Sequence, residues 1–130
     1  MTLPDTVLTV IRAAVPDVDV FDGEIPTEPP ARYAIVYIDD GTLRALAACG
    51  QSDSATLRWQ VQSIAPDRQM ASWIAATIRD ATVDTKPSAT GWVCGPIQHV
   101  FSERPGRDET VGEKPMVYKP DLYELLATRV

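Results

Sequence analysis

The chain has 130 residues, 45% of them hydrophobic, and a formal net charge of −6. A chain of this size and composition is expected to fold as one domain that buries roughly two-thirds of its unfolded surface, which excludes general disorder. No apolar run approaches the ~18 residues that a membrane span needs, and the N-terminus lacks the basic start of a secretory signal, so we interpret it as mature protein.

The acidic charge is concentrated in the first 40 residues. This stretch contains eight acidic residues against Arg12 and Arg32, whereas the acids and bases of residues 41–130 balance. The simpler interpretation of this acidic excess is a solvated face that keeps the protein soluble. The more specific interpretation is a surface that repels nucleic acid. Neither favours tight binding to DNA, because phosphate binding requires clustered Lys and Arg.

The first predicted element is a helix that begins after Thr2. Thr2 can cap it, Asp5 can complete a capping box, and Pro16 ends it because the residue before proline is disfavoured in helical geometry. Apolar residues follow a spacing of three and four along one side of this helix: Leu3, Val7, Leu8, Ile11, Ala14 and Val15.

An extended region follows the helix. Residues 17–20 alternate like a short strand, and the prolines of residues 26–30 predict a strap that runs over the surface. Residues 33–38 are apolar at every position, which predicts a central strand covered on both faces. Residues 42–54 form either a mobile loop or an arm that becomes ordered against a partner.

A third strand and a second helix complete the middle of the chain. Leu57, Trp59 and Val61 alternate with polar residues, which is typical of a half-buried strand. Asp67 can cap a helix from Arg68 to about Ala81. Its predicted buried side consists of Met70, Trp73, Ile74, Thr77, Ile78 and Ala81.

The C-terminal third is predicted to form strands and a loop. We expect one long strand from Cys94 to Ser102, then a loop or long hairpin tip over residues 103–115. The final segment could form a helix after Pro120, but it follows Met116 without a turn signal. We therefore predict a strand with Pro120 at an edge or a bulge.

Together these elements predict a single α+β domain over residues 1–130. We expect a mixed or antiparallel sheet of four to five strands with two helices packed against it, in the order α-β-β-β-α-β-β.

The sequence offers no catalytic, cofactor or metal site. Cys94 and the single histidine, His99, are five residues apart, which places them on opposite faces of a strand, so a structural histidine is expected. The acids of residues 17–24 match a calcium loop poorly, and there is no phosphate-binding loop or nucleophile elbow. Cys49 and Cys94 are expected to stay reduced. We therefore predict a protein that is not an enzyme.

An ordered set of segments resembles the tail terminator proteins of long-tailed phages, in particular a group from phages of actinobacteria. Each segment is weakly specific alone, but they follow one another over most of the chain. They are Asp22–Pro26 with Pro29 and Pro30 before the Tyr33–Tyr37 strand, Arg58–Val61, the helix with Trp73, Ile74 and Arg79, Cys94–His99, Arg107, Asp108 and Val111, and Tyr118 through Asp121–Tyr123. Pro120 and the ending Leu125–Val130 depart from the family pattern.

The resemblance implies a virion protein without enzymatic activity, assembled in the host cytoplasm and placed at the head–tail junction. Subunits would close into a homo-oligomer, expected to be a hexameric ring, that caps the tail tube, stops its polymerisation and joins it to the head–tail connector protein. DNA would pass through without specific binding, and no membrane would be involved. A closed ring requires a contact between two different patches of neighbouring subunits, and strand addition at sheet edges is one way to build it.

Four residues are candidates for the interface. Arg44 and Asp53 belong to the loop at 42–54, and Arg107 and Asp108 belong to the loop at 103–115. Both loops are long and polar beside otherwise short connections, which favours contacts with neighbouring subunits or the tail tube.

Other functions remain open at this stage. The chain could be another head–tail connector, neck or minor tail protein, because each of these is also a small ring-forming subunit. A small-molecule-binding or enzymatic domain would use Trp59, Trp73 and His99 around a pocket. An interaction domain unrelated to phages is the third alternative.

Overall fold

A computed structural model describes residues 2–25, 27–39, 54–108 and 116–129. The described part contains two helices and eight strands. They are α1 (Leu3–Ala14), β1 (Asp19–Asp22), β2 (Tyr33–Asp39), β3 (Ser54–Ala65), α2 (Arg68–Thr82), β4 (Ser88–Ala89), β5 (Trp92–Cys94), β6 (Gln98–Ser102), β7 (Gly106–Asp108) and β8 (Met116–Arg129).

Both helices begin where the sequence predicts. The Thr2 hydroxyl accepts a hydrogen bond from the Asp5 backbone N–H at 3.2 Å, and the Asp5 carboxylate accepts one from the Thr2 N–H, so the capping box is confirmed. In α2 the Asp67 carboxylate accepts a hydrogen bond from the Met70 N–H at 2.8 Å. These caps satisfy backbone donors that have no partner inside a helix.

One mixed sheet contains all eight described strands. The order β1-β2-β3-β8-β5-β4 runs across it, and β6 and β7 pair with the same side of β8 as β5 does. β1 and β2 are parallel, and every other pair is antiparallel. The centre of the sheet is the pair β3 and β8, which is continuous from Ser54↔Thr128 to Ala65↔Val117.

Both helices contribute to one large core against a single face of the sheet. Alternate residues of the central strands point into it, including Trp59 and Val61 of β3 and Tyr123 and Leu125 of β8. From the helices, the core receives an apolar stripe of each: Leu3, Val7, Leu8 and Ile11 of α1, and Ala71, Ile74 and Ile78 of α2.

A smaller apolar cluster lies on the opposite face of the sheet, because neighbouring residues of a strand point to opposite sides. Its buried members are Tyr33, Ile35 and Ile64. Around them pack Phe21, Tyr37, Met116 and Tyr118, which are partly buried. The prediction that residues 33–38 form a strand covered on both faces is therefore confirmed for its first four residues, all of which are buried.

The predicted buried side of α2 is partly wrong. Ile74 and Ile78 are buried, but Trp73 is 49% exposed and Ala81 is also exposed. The helix turns Ala71, Ala75 and Thr82 toward the sheet instead. Small side chains on this side allow α2 to lie close to β3 and β8, and this close packing outweighs the burial that Trp73 could contribute.

The single long strand predicted from Cys94 to Ser102 is also wrong. β5 ends at Cys94, and Gly95 and Ile97 donate their N–H groups to the carbonyls of Leu126 and Thr85, at 2.8 and 2.9 Å. Pro96 lies between them and has no N–H to extend a strand. The chain then returns to β8 as β6, and a register shift follows His99.

The strand prediction for the last segment is confirmed, since β8 extends from Met116 to Arg129. Pro120 lies in the middle of the sheet, paired with Gln62 of β3, and not at an edge. On its other side the pairing is interrupted, because residues 103–105 between β6 and β7 belong to no strand. Between the pairs Ser102↔Asp121 and Gly106↔Tyr118, one strand advances four residues and the other three. The Pro120 carbonyl accepts a hydrogen bond from Glu103 at this mismatch, where the missing N–H of proline is tolerated.

The predicted fold class is correct: the chain forms an α+β domain with two helices against a mixed sheet. The number of strands is larger than the predicted four to five, because β4, β5 and β7 have only two or three residues each. Strands this short have too few residues to show an alternating pattern.

Candidate protein–protein interface

Two of the four predicted interface residues, Arg107 and Asp108, belong to the described part of the chain. Arg107 is exposed in the short strand β7, where it pairs with Val117 of β8. The backbone of Asp108 lies in the same strand, opposite Met116. Arg44 and Asp53 lie outside the described residues. The predicted role of these four residues stays a prediction.

Large exposed hydrophobic side chains lie at three places on the described surface. Ile25 is in the strap between β1 and β2, Trp73 is on α2, and a third group belongs to β5, β6 and β8. The third group consists of Val93, Val100, Phe101 and Leu126. Single exposed hydrophobics are common on soluble proteins, so the surroundings of each residue decide its meaning.

Trp73 lies in an open groove of about 380 Å³ next to Arg32. The Arg32 guanidinium is 5.8 Å from the centre of the indole ring and donates a hydrogen bond to the sulfur of Met70 at 3.5 Å. Asp67 and Gln69, from the start of α2, complete the lining. Arg32 directly precedes β2, so the groove lies between the start of a central strand and the first turns of α2.

Arg32 has no ion pair with a carboxylate within residues 2–25, 27–39, 54–108 and 116–129. The Asp67 carboxylate in the same groove already caps α2. The sulfur and the indole face hold the guanidinium in place but do not neutralise its charge. Arginine and tryptophan are the residues most often found at the energetic centre of protein interfaces. This groove therefore has the composition of a binding surface for an acidic, apolar segment.

The strap between β1 and β2 has the opposite charge. Residues 23–31, which are called the strap from here on, contain the acidic residues Glu24 and Glu28 and neither lysine nor arginine. Glu24 and Glu28 are exposed, and between them Ile25 is 59% exposed. Ile25 lines a cavity of about 80 Å³ on the sheet face that carries Tyr33, Ile64 and Tyr118. It thus presents most of its apolar surface outward.

Sequence reasoning missed Arg32 and misplaced Trp73. The signal for Arg32 was available, because it ends the longest stretch of the N-terminal region without a base. The signal for Trp73 was ambiguous, since Trp73 lies at the border between two possible apolar stripes of α2.

The one histidine has a structural environment, as the sequence predicts. His99 Nε2 lies 2.9 Å from Oδ1 of Asp121, and Lys119 Nζ lies 3.7 Å from the same oxygen. Lys119 also donates hydrogen bonds to Ser102 and to the Glu103 carbonyl. The cluster therefore ties β6 to β8 where the two strands lose register.

Trp59, Trp73 and His99 do not line a common pocket. Trp59 is 2% exposed, and its ring stacks on the ring of Tyr123. The rings of Tyr123 and His99 pack edge to face, with their centroids 5.2 Å apart. Trp73 is separate from them, in the groove with Arg32. The arrangement of Trp59, Trp73 and His99 around one cavity is therefore wrong.

Burial changes the pKa of two groups, Tyr123 and Cys94. Burial raises the pKa of Tyr123 well above its usual value, and the Asp121 carboxylate raises it further. Burial also raises the pKa of the Cys94 thiol, which is free. Both shifts keep the groups protonated at neutral pH. A protonated, buried thiol is a poor nucleophile, so Cys94 has the character of a packing residue.

Two further observations concern the described part of the chain. No three of its His, Cys, Asp and Glu side chains come together as a possible metal site. Neither α1 nor α2 has the length and apolar content needed to cross a membrane.

The fold is shared with solved structures over almost the whole chain. A chain in the structure of the virion of native gene transfer agent (GTA) particle superposes with a TM-score of 0.70, at 16% identity, over 97% of this chain and 94% of that one. A second solved protein superposes with a TM-score of 0.57, at 17% identity, over 96% of both chains. No protein-family model and no curated protein sequence matches the chain. At these identities the comparisons establish a common fold.

Proposed function

We propose that the chain is a structural virion protein that forms a ring at the head–tail junction and acts as a tail terminator. The observation that carries this proposal is the full-length superposition on a chain from the virion of a gene transfer agent particle. It agrees with the resemblance of the ordered sequence segments to tail terminators. Two independent comparisons, one of sequence and one of shape, thus favour the same kind of particle.

Features of the surface also support a role in assembly. The described surface carries an Arg–Trp groove, an acidic strap with an exposed isoleucine, and exposed hydrophobics on β6. Such features favour contacts with other proteins. The acidic strap and the absence of a cluster of cations on it agree with DNA that passes through the ring without being held.

The direct test is the oligomeric mass of the purified protein, with and without the tail tube protein. A terminator is expected to form a closed ring, to bind the tube protein and to stop its polymerisation at a defined length. A subunit that stays monomeric and leaves tube growth unchanged would contradict the proposal.

The same fold is compatible with another neck component, and partner choice separates the two roles. A head-closure or adaptor protein would bind DNA-filled capsids and would leave tube growth unchanged. Mixing the protein separately with tubes and with filled capsids, followed by sedimentation, shows which structure it joins. We expect it to sediment with tubes.

A further inference from the structure

The Arg32–Trp73 groove has one cation without a carboxylate partner in the described part of the chain. Its Arg32, Met70 and Trp73 side chains offer a positive charge, a polarizable sulfur and an aromatic face within contact distance of one another. The segment that fits such a groove carries an acid next to an apolar side chain. Proline would add to the fit, because aromatic grooves bind the extended conformation of proline-rich segments.

The chain itself contains a segment with this chemistry. The strap has Ile25 between Glu24 and Glu28, followed in sequence by Pro29 and Pro30. Its charge is opposite to that of Arg32, and its exposed isoleucine is of a size that a groove between Met70 and Trp73 can cover. Charge complementarity and apolar fit therefore point to the same pair of surfaces.

Within one subunit Ile25 and Trp73 lie on opposite faces of the sheet. Ile25 borders the cavity on the sheet face that carries Tyr33 and Tyr118, whereas Trp73 belongs to α2, which packs on the other face. Neither Glu24 nor Glu28 forms an ion pair with Arg32 in the described structure. The strap is thus free to occupy the groove of another copy.

We propose that the acidic strap of one subunit docks into the Arg32–Trp73 groove of the next copy of the chain. Ile25 enters the groove between Met70 and Trp73, and Glu24 or Glu28 pairs with Arg32. Because the two patches are different, the contact is head-to-tail, and it closes into a ring when the rotation between neighbours permits. This inference rests on the proposed ring-forming function and assigns the surfaces that form the ring.

The test uses one variant that disables each surface. Arg32→Ala with Trp73→Ala disables the groove and leaves the strap intact, whereas Glu24→Arg with Ile25→Asp disables the strap and leaves the groove intact. Lys86→Glu and Asp80→Arg are the matched controls, since they reverse exposed charges that neither line the groove nor belong to the strap. Circular dichroism verifies that each variant is folded.

Analytical ultracentrifugation gives the expected pattern. The wild type and both controls form the same oligomer, and each disabled variant associates at least about 10-fold more weakly. An equimolar mixture of the two disabled variants stops at a heterodimer, because only one intact groove and one intact strap can meet. Raising the salt concentration weakens the contact, since its charges are partly exposed.

A charge exchange within one chain provides a second measurement. Arg32→Glu combined with Glu24→Arg and Glu28→Arg restores the opposite charges and is expected to recover most of the self-association lost with Arg32→Glu alone. Disabled variants that assemble like the wild type would overturn this contact and leave the terminator role intact. The contact would also be overturned if the mixture of the two disabled variants stays monomeric and the charge-exchange variant does not recover self-association. A wild type that is monomeric with and without tube protein would overturn both proposals.

Discussion

His99 Nε2 lies 2.9 Å from Oδ1 of Asp121, and the Asp121 side chain is only 2% exposed. The second neighbour of this oxygen is the ammonium group of Lys119, whose side chain is 14% exposed. The second carboxylate oxygen, Oδ2, is buried and has no hydrogen-bond partner among the described residues. A buried carboxylate held on one side only depends strongly on the two cationic or proton-donating groups that face it.

Removal of this carboxylate is expected to be costly. Asp121→Ala leaves His99 and Lys119 without their shared partner inside the fold, and we expect the free energy of unfolding to fall by about 3 kcal/mol. Asp80→Ala is the control, because Asp80 is exposed and lies 3.8 Å from Arg79; it should change stability by less than about 0.5 kcal/mol. Urea denaturation at pH 7 measures both. Equal effects of the two substitutions would contradict a structural role for the cluster.

The two tryptophans Trp59 and Trp73 should differ sharply in their contribution to stability. Trp59 is fully packed and its ring stacks on Tyr123 with centroids 5.9 Å apart, so Trp59→Ala should destabilise the fold by about 3–5 kcal/mol. Trp73 is half-exposed, and Trp73→Ala should cost less than about 1 kcal/mol. Thermal and urea unfolding at concentrations where both variants are monomeric measure the difference. A large loss for Trp73→Ala would place its role inside the fold and not at an interface.

Local signals were sufficient for several elements and insufficient for the sheet. The caps at Thr2 and Asp67 depend on hydrogen bonds within three residues, so the starts of both helices could be predicted. Alternation over β3 was also local, and so was the lack of a turn signal after Met116, on which the strand prediction for β8 depends. Pairing of β8 with β3 joins residues that are between 52 (Ala65 and Val117) and 74 (Ser54 and Thr128) positions apart, and no local pattern encodes that choice.

The interface could be predicted only in part for a similar physical reason. The charge asymmetry of the strap is a property of composition and was visible in the sequence. Exposure of Trp73 depends on which side of α2 meets the sheet, and the alanines at positions 71 and 75 decided this through close packing. The meeting of Arg32 with Met70 joins residues 38 positions apart. Tertiary structure alone brings these side chains together.

Gly106 has a role that depends on the ring of Tyr118. The two residues are cross-strand partners, and a Cβ at position 106 would lie 2.7 Å from Cζ and Oη of the tyrosine. Gly106→Ala should therefore displace the ring and destabilise the fold by about 1–3 kcal/mol. In a Tyr118→Leu background the same change should cost less, because the ring is gone. A double-mutant cycle by urea denaturation measures the coupling, and additive effects would contradict the contact.

Tyr123 should make the fold sensitive to alkaline pH. Its hydroxyl is buried without a hydrogen-bond partner in the described part of the chain, and burial together with Asp121 raises its pKa above the ordinary value of 10.0. The unfolded chain therefore loses this proton near pH 10, while the folded protein retains it to higher pH. The contribution of the protonated Tyr123 hydroxyl to the free energy of unfolding is fully present below pH 10, and it is lost as the pH rises from there toward the pKa of the folded protein.

Tyr123→Phe keeps the stacking on Trp59 and removes the titrating hydroxyl. We therefore expect its stability to lie within about 1 kcal/mol of wild type at pH 7 and to decline less steeply above pH 10. Tyr37→Phe is the control, since Tyr37 is only partly buried. Urea denaturation at pH 7, 9, 10 and 11 compares the three proteins, and parallel declines for wild type and Tyr123→Phe would contradict the assignment.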